Sequence, residues 1–166
     1  MGKIFAWSTR WFRGKRNHVR LVDLSVPERH GTADMVSVKG LRVLLIDDNE
    51  HTRNLFAGAL RHYDARVTAV DSARAAIGIL GGLRPHVVVS NCVLDPAEGN
   101  TLMRLLRTAE VEDKRRIPTI ALTAYGEAKH VLNQFAVGFQ IRVPVPSDPY
   151  ALVSIVGRVA PAGTGG

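Results

Sequence analysis

From residue 41 onward the chain alternates between short, solid apolar runs and longer stretches in which apolar positions return every three or four residues. Apolar-rich runs of strand length predict strands, the first of them buried. They fall at 41–48 (LRVLLIDD), 65–70 (ARVTAV), 86–91 (HVVVSN), 117–123 (IPTIALT) and 139–145 (FQIRVPV). The stretches between them have helical spacing. Residues 51–63 bring Leu55, Phe56, Leu60 and Tyr63 near one face. Ser72 can cap a second helix over 73–80, which Gly81-Gly82 stops. A third helix is expected over 100–109 and a fourth over 126–137, closed by Gly138. Asp148 caps the last helix, 149–159, with Pro149 in its first turn. Five β/α units predict an α/β fold: a five-stranded, doubly wound parallel sheet with right-handed crossovers. The strand ends then converge at the carboxyl edge of the sheet, where ligands bind in such folds. That edge would carry Asp47, Asp48, Asn91, Thr123 and Val145.

Charge divides the chain. The net charge is +7 over 166 residues, but residues 1–39 hold eight Lys and Arg against three Asp and Glu, and residues 40–166 hold fourteen against twelve. The reading is therefore a basic arm and linker (1–39), a folded domain (40–160) and a frayed tail (161–166). In the arm, Ile4, Phe5, Trp7, Trp11 and Phe12 fall within roughly 160° of a helical wheel, with Lys3, Arg10 and Arg13 opposite. Such a segment suits an anionic membrane surface, a groove on a partner or, third in order, nucleic acid; a disordered extension without a role is the plain alternative. A single cysteine, Cys92, excludes an internal disulfide and a multi-cysteine zinc site and reads as a small apolar residue. The six histidines have no metal-ligand spacing. No apolar run reaches membrane-spanning length, so a cytoplasmic protein is expected, peripheral at the inner membrane if the arm docks there.

The first strand is followed by DDNEHTRN, which has no glycine, so the backbone has no phosphate-cradling loop. Two adjacent acids suggest instead either a hard-cation site or negative charge placed at the start of a helix.

The stretches LRVLLIDDNEHTR, RPHVVVSN…G, RIPTIALTAY and VGFQIRVPVPSDPYALV, in this order and spacing, resemble the receiver domain of bacterial two-component response regulators. The likeness is greatest to receivers on or beside hybrid histidine kinases, and it covers about 120 residues. It implies a flavodoxin-like fold of the CheY-like superfamily. It also implies that Asp47 and Asp48 hold magnesium and that Thr123 binds a phosphoryl group. The aspartate that accepts phosphate falls at Asn91, in a frame set by Pro85 and Gly99. The lysine that pairs with it falls at Val145, before Pro146, which the family joins by a cis bond. The switch aromatic falls at Arg142.

Phosphoryl transfer to a receiver needs a carboxylate oxygen as nucleophile, and a carboxamide is a far poorer one that also adds no negative charge to the magnesium site. Losing one carboxylate about 4 Å from a dication costs about 2–8 kcal/mol, so weak magnesium binding is the most this site would retain, and no cofactor is required. Replacing both partners of a buried ion pair by neutral groups can be nearly neutral for stability. Asn91 with Val145 thus reads as a degenerate phosphoacceptor in a pseudo-receiver: no enzyme, but a stand-alone signalling protein that acts by binding a histidine kinase, hybrid kinase or downstream target. The expected partner face includes Lys129, His130, Arg142 and Tyr150. Two alternatives stand beside it: a phosphorylatable regulator using a displaced carboxylate such as Asp95, and an adaptor attached to membrane or nucleic acid through Trp7, Arg10, Trp11 and Arg13. Oligomeric state is left open.

Overall fold

The computed structural model describes residues 37–91, 95–123, 139, 141–145 and 148–161. The arm with Trp7, Arg10, Trp11 and Arg13, the expected helix over 126–137 with Lys129 and His130, and Cys92 and Pro146 lie outside the described residues. The elements are β1 (Arg42–Ile46), α1 (Glu50–His62), β2 (Arg66–Val70), α2 (Ala73–Leu83), β3 (Val87–Ser90), α3 (Pro96–Asp113), β4 (Thr119–Thr123), β5 (Ile141–Pro144) and α4 (Pro149–Val159). All strand pairs are parallel, in the order β2-β1-β3-β4-β5.

The solid apolar runs follow from the two-residue period of a strand. Val43 and Leu45 of β1, with Val87 and Val89 of β3, face one core, against Phe56, Ala57 and Leu60 of α1 and Leu152 and Val156 of α4. Leu44, Ile46 and Val88 face the other, against Ala73, Ala76 and Leu80 of α2 and Leu102 and Leu106 of α3. Both faces are covered, so neither set of positions can be polar. β2 is an outer strand. Its residues 66 and 70 bond inward to β1 (Arg66 N–H to Leu41 carbonyl, Asp47 N–H to Val70 carbonyl), so Val67 points its carbonyl outward. There it accepts from Arg61 Nη2 at 3.0 Å.

The strands are shorter than the sequence runs by one to three residues, and the helices α1, α2 and α3 differ from the sequence expectation. The buried residues of α1 are Phe56, Ala57, Ala59 and Leu60; Leu55 is 45% exposed because it sits at the margin of that face, and Tyr63 is 37% exposed because it is the C-cap, past the last helical residue. Its cap is Asn49, whose side chain accepts from Thr52 N–H. α2 does not stop at Gly81-Gly82 but runs through both to Leu83, and Arg84 ends it in the left-handed conformation (φ 47°). Pro85 explains the stop: it bars the preceding residue from the helical region. α3 starts four residues earlier than expected, at Pro96, with Asp95 accepting from Ala97 and Glu98 N–H groups. It also runs on to Asp113, since Glu110 is buried and braces the turn into β4: its Oε1 accepts from Ile117 N–H at 2.7 Å and meets Arg107 Nη1 at 2.6 Å. The expected caps Ser72 and Asp148 are in place.

Gly81 and Gly82, like Gly78 before them, weaken α2, since each costs about 0.5–1 kcal/mol relative to alanine. An added Cβ would meet nothing within 4 Å at either position. Gly81→Ala and Gly82→Ala are therefore expected to raise stability by about 0.5–1 kcal/mol each, read as higher urea midpoints at unchanged m-value. A loss at either position would count against this account.

Candidate functional site

The strand order reverses direction between β1 and β3, and the carboxyl ends of these neighbours form the switch-point crevice. β1 delivers Asp47 and β3 delivers Asn91. Asn91 N–H on the Ile46 carbonyl at 2.7 Å ties the end of β3 to β1, and Asp47 N–H on the Val70 carbonyl at 3.0 Å ties the end of β1 to β2 on its other side.

Asp47 is fully buried and its carboxylate is held by three donors. Oδ1 accepts from Asn49 N–H at 3.0 Å; Oδ2 accepts from the Thr52 hydroxyl at 2.7 Å and from Asn91 Nδ2 at 2.9 Å. A buried carboxylate needs such partners to remain charged. Arg53 Nη1 donates to the Asp47 carbonyl at 2.8 Å, which ties the first turn of α1 to the same point. Asp48 is exposed. The amide at 91 is therefore a donor to its neighbour, a role that an ionised carboxylate cannot fill.

Thr123 ends β4, is buried, and its hydroxyl donates to the Val143 carbonyl at 3.4 Å. Val145 N–H donates to the Thr123 carbonyl at 3.0 Å, and the half-buried Val145 side chain packs against the apolar cluster beneath α1 and α4. Arg142 lies in β5 opposite Ala121. Asp95 is exposed and engaged as the cap of α3. Tyr150, expected on the partner face, is 49% exposed and stands edge-on to His62 and Tyr63, with ring centroids 6.0 and 6.1 Å away.

Magnesium takes a near-octahedral set of oxygens built on one or two carboxylates and water. Here one acid has both oxygens engaged by protein donors, the other is exposed, and the third position turns an N–H toward Asp47. Among the described residues no three His, Cys, Asp or Glu side chains are grouped for a metal. The residues present do not fit a resident magnesium ion.

The structure thus joins Asp47 with Asn91, and Thr123 with Val145, as the sequence expects of one edge. Asn49, Thr52 and Arg53 were not foreseen, although three donors beginning two residues past a buried acid are a readable signal. Nothing in the sequence singles out His86. It is 7% exposed and accepts from Arg42 N–H through Nδ1 at 3.0 Å.

Among the described residues no helix is long and apolar enough to cross a membrane. Residues 43–156 match the family model of the response regulator receiver domain. The chain is 31% identical over 136 residues to protein PetR of Rhodobacter capsulatus, covering 80% of this chain and 55% of PetR, so it spans about half the length of that relative. It is 29% identical over 122 residues to an uncharacterised 14.6 kDa protein from the sodA1 3' region of Leptolyngbya boryana, covering 74% and 92% of the two chains. Among solved structures it is similar to the receiver domain of sensor histidine kinase PA1611 from Pseudomonas aeruginosa, which has magnesium coordinated in its active site cleft. The TM-score is 0.60 at 28% identity, over 72% of this chain and 96% of that one.

Proposed function

Because the chain belongs to the response regulator receiver domain family, we propose that it serves two-component signalling as a receiver that engages its protein partners without aspartyl phosphorylation. The observation that carries this reading is the Asn91–Asp47 hydrogen bond at 2.9 Å. In the alignment that the family likeness implies, position 91 is where the nucleophilic oxygen belongs. A carboxamide there has no anionic oxygen to attack phosphorus. Its N–H instead gives Asp47 one of three hydrogen bonds, so the buried acid is held by protein donors rather than by a cation. Val145 supports the same reading. The position expected to hold an ammonium holds an aliphatic side chain packed on the core.

A receiver of this kind binds as it stands. Its affinity for a histidine kinase or downstream protein would depend on which conformation the partner prefers, since a ligand shifts a two-state domain by differential affinity alone. Asp95 is a poor substitute nucleophile, because its carboxylate caps α3.

The chain incubated with acetyl phosphate and saturating magnesium is expected to show no phosphoryl adduct by intact-mass spectrometry. A stoichiometric adduct would overturn the proposal, and mapping it to Asp95 would establish the displaced carboxylate in its place.

A further inference from the structure

A parallel sheet gathers the beginnings of all its strands at one edge, here the edge opposite Asp47 and Asn91. Arg66 opens β2, Arg42 opens β1, Arg84 stands just before β3, and Arg115 just before β4. The order β2-β1-β3-β4 arranges them as a row, Arg66, Arg42, Arg84, Arg115. With strands about 4.8 Å apart, the row is roughly 15 Å long.

Much of this row is held by one short piece of backbone. Arg42 Nε donates to the Arg84 carbonyl at 2.9 Å, and Arg115 Nη2 donates to the same carbonyl at 3.0 Å. Arg115 Nη1 donates to the Pro85 carbonyl at 2.7 Å. Asp113 is shared by Arg84 and Arg115. That leaves the row with more positive than negative charge. Arg42 has its pKa lowered by burial first and then by Arg115, Arg66 and Arg84, against which Asp113 acts in the opposite sense. The other edge has the reverse character: the strand ends are followed by Asp47, Asp48, Asp71, Asp95 and Asp148.

We propose that the arginine row at the amino edge is a docking surface for a carboxylate-rich segment of a protein partner. The guanidinium fork matches a carboxylate in a planar, two-bond geometry that an ammonium does not offer. Arg42 and Arg115 are already positioned by carbonyl acceptors, so less side-chain freedom is lost on binding. The row is short and interrupted by Asp113, which suits a few carboxylates better than the long, closely spaced run of phosphates along a nucleic-acid duplex. The inference does not depend on whether Asn91 can be phosphorylated.

The test uses the full chain and a fluorescein-labelled decaglutamate peptide, followed by anisotropy at physiological salt. The double variant Arg42→Gln with Arg66→Glu is compared with Arg104→Glu with Arg158→Gln. The second pair lies exposed on α3 and α4 and changes the net charge equally. The basic arm is present in every protein, so any peptide it binds gives the same floor in all of them, and the losses are read above that floor. The edge variant is expected to bind about tenfold or more weakly, the control within twofold of the parent. Arg66→Glu alone, at an exposed site, should give part of that loss and covers the case in which Arg42→Gln perturbs the fold. Equal losses in edge and control variants, or no loss at the edge, would overturn the proposal. So would a DNA duplex that competes the peptide off the edge at lower concentration, which would assign the row to nucleic acid.

Discussion

Asn91→Asp is expected to lower stability by about 2–4 kcal/mol at pH 7 in the absence of divalent metal. The substitution replaces a donor 2.9 Å from Asp47 Oδ2 with a second anionic oxygen. A hydrogen bond to a charged group contributes about 1.5–3 kcal/mol, and two carboxylates at that separation repel. The loss has a ceiling. The new carboxyl can take up a proton, and for an ordinary aspartate at pH 7 that costs about 4 kcal/mol. Two consequences follow from the cause. The deficit should shrink toward pH 4.5, where protonation is easy, and it should shrink when magnesium supplies the missing positive charge. Urea unfolding at both pH values, with EDTA or with magnesium, checks this; a variant as stable as the parent at pH 7 in EDTA would sink the account. The same change should not by itself produce an efficient phosphoacceptor, because Val145 puts no cation beside it. Adding Val145→Lys is expected to raise adduct yield from acetyl phosphate at least about tenfold over Asn91→Asp, since the ammonium offsets the new charge and meets the phosphoryl oxygens. Val145→Lys alone should destabilise, because it forces a charge against the apolar cluster on which Val145 packs. The four proteins form a double-mutant cycle whose coupling is the measured quantity.

The second large effect lies at the other end of the sheet. His86 is held neutral, with its pKa lowered to about 4, by burial first and then by the Arg42 and Arg115 guanidiniums. Its Nδ1 accepts the Arg42 N–H, so that nitrogen must be unprotonated in the folded protein. The folded pKa lies below the unfolded value of about 6.5, so the unfolded chain binds the proton more readily. The stabilisation is complete above about pH 6.5 and is lost as pH falls from there toward 4, to the extent of about 3 kcal/mol. Asp113, lowered by its hydrogen bond to Arg84, adds a loss at still lower pH. His86→Gln removes the titrating group while offering an amide oxygen to Arg42. It should be less stable than the parent at pH 8 and markedly flatter between pH 6.5 and 4.5 in a series of thermal melts. Parallel profiles for the two proteins across that window would rule His86 out as the source.

Where the sequence was readable, one physical condition was met. β1, β3 and β4 are buried on both faces, so their residues are apolar except at the strand ends, and no alternative assignment competes. The ends of α2 and α3 were misread because the governing residues stand outside the periodic stretch. Pro85 sets the end of α2 more firmly than two glycines do, and Asp95-Pro96 is a helix start that resembles a turn when read alone. The carboxyl-edge residues were legible because parallel topology alone brings strand ends together. The donors around Asp47 were not, since Asn49 and Thr52 reach it only after α1 has formed. The arginine row escaped for a related reason: its members are spread from residue 42 to residue 115, and only the strand order makes them neighbours.

The Arg61 side chain laid over the outward carbonyl of Val67 bears on what this protein avoids. An outer strand such as β2 is a template onto which a second chain can add its own backbone, and RVTAV has the β-branched character that favours such growth. With one outward acceptor already taken and a guanidinium lying across the approach, an arriving strand would have to displace a charge before forming its first bond there. The sheet is thereby protected along its flank from open-ended stacking, a hazard that would grow with the concentration of the protein in the cell.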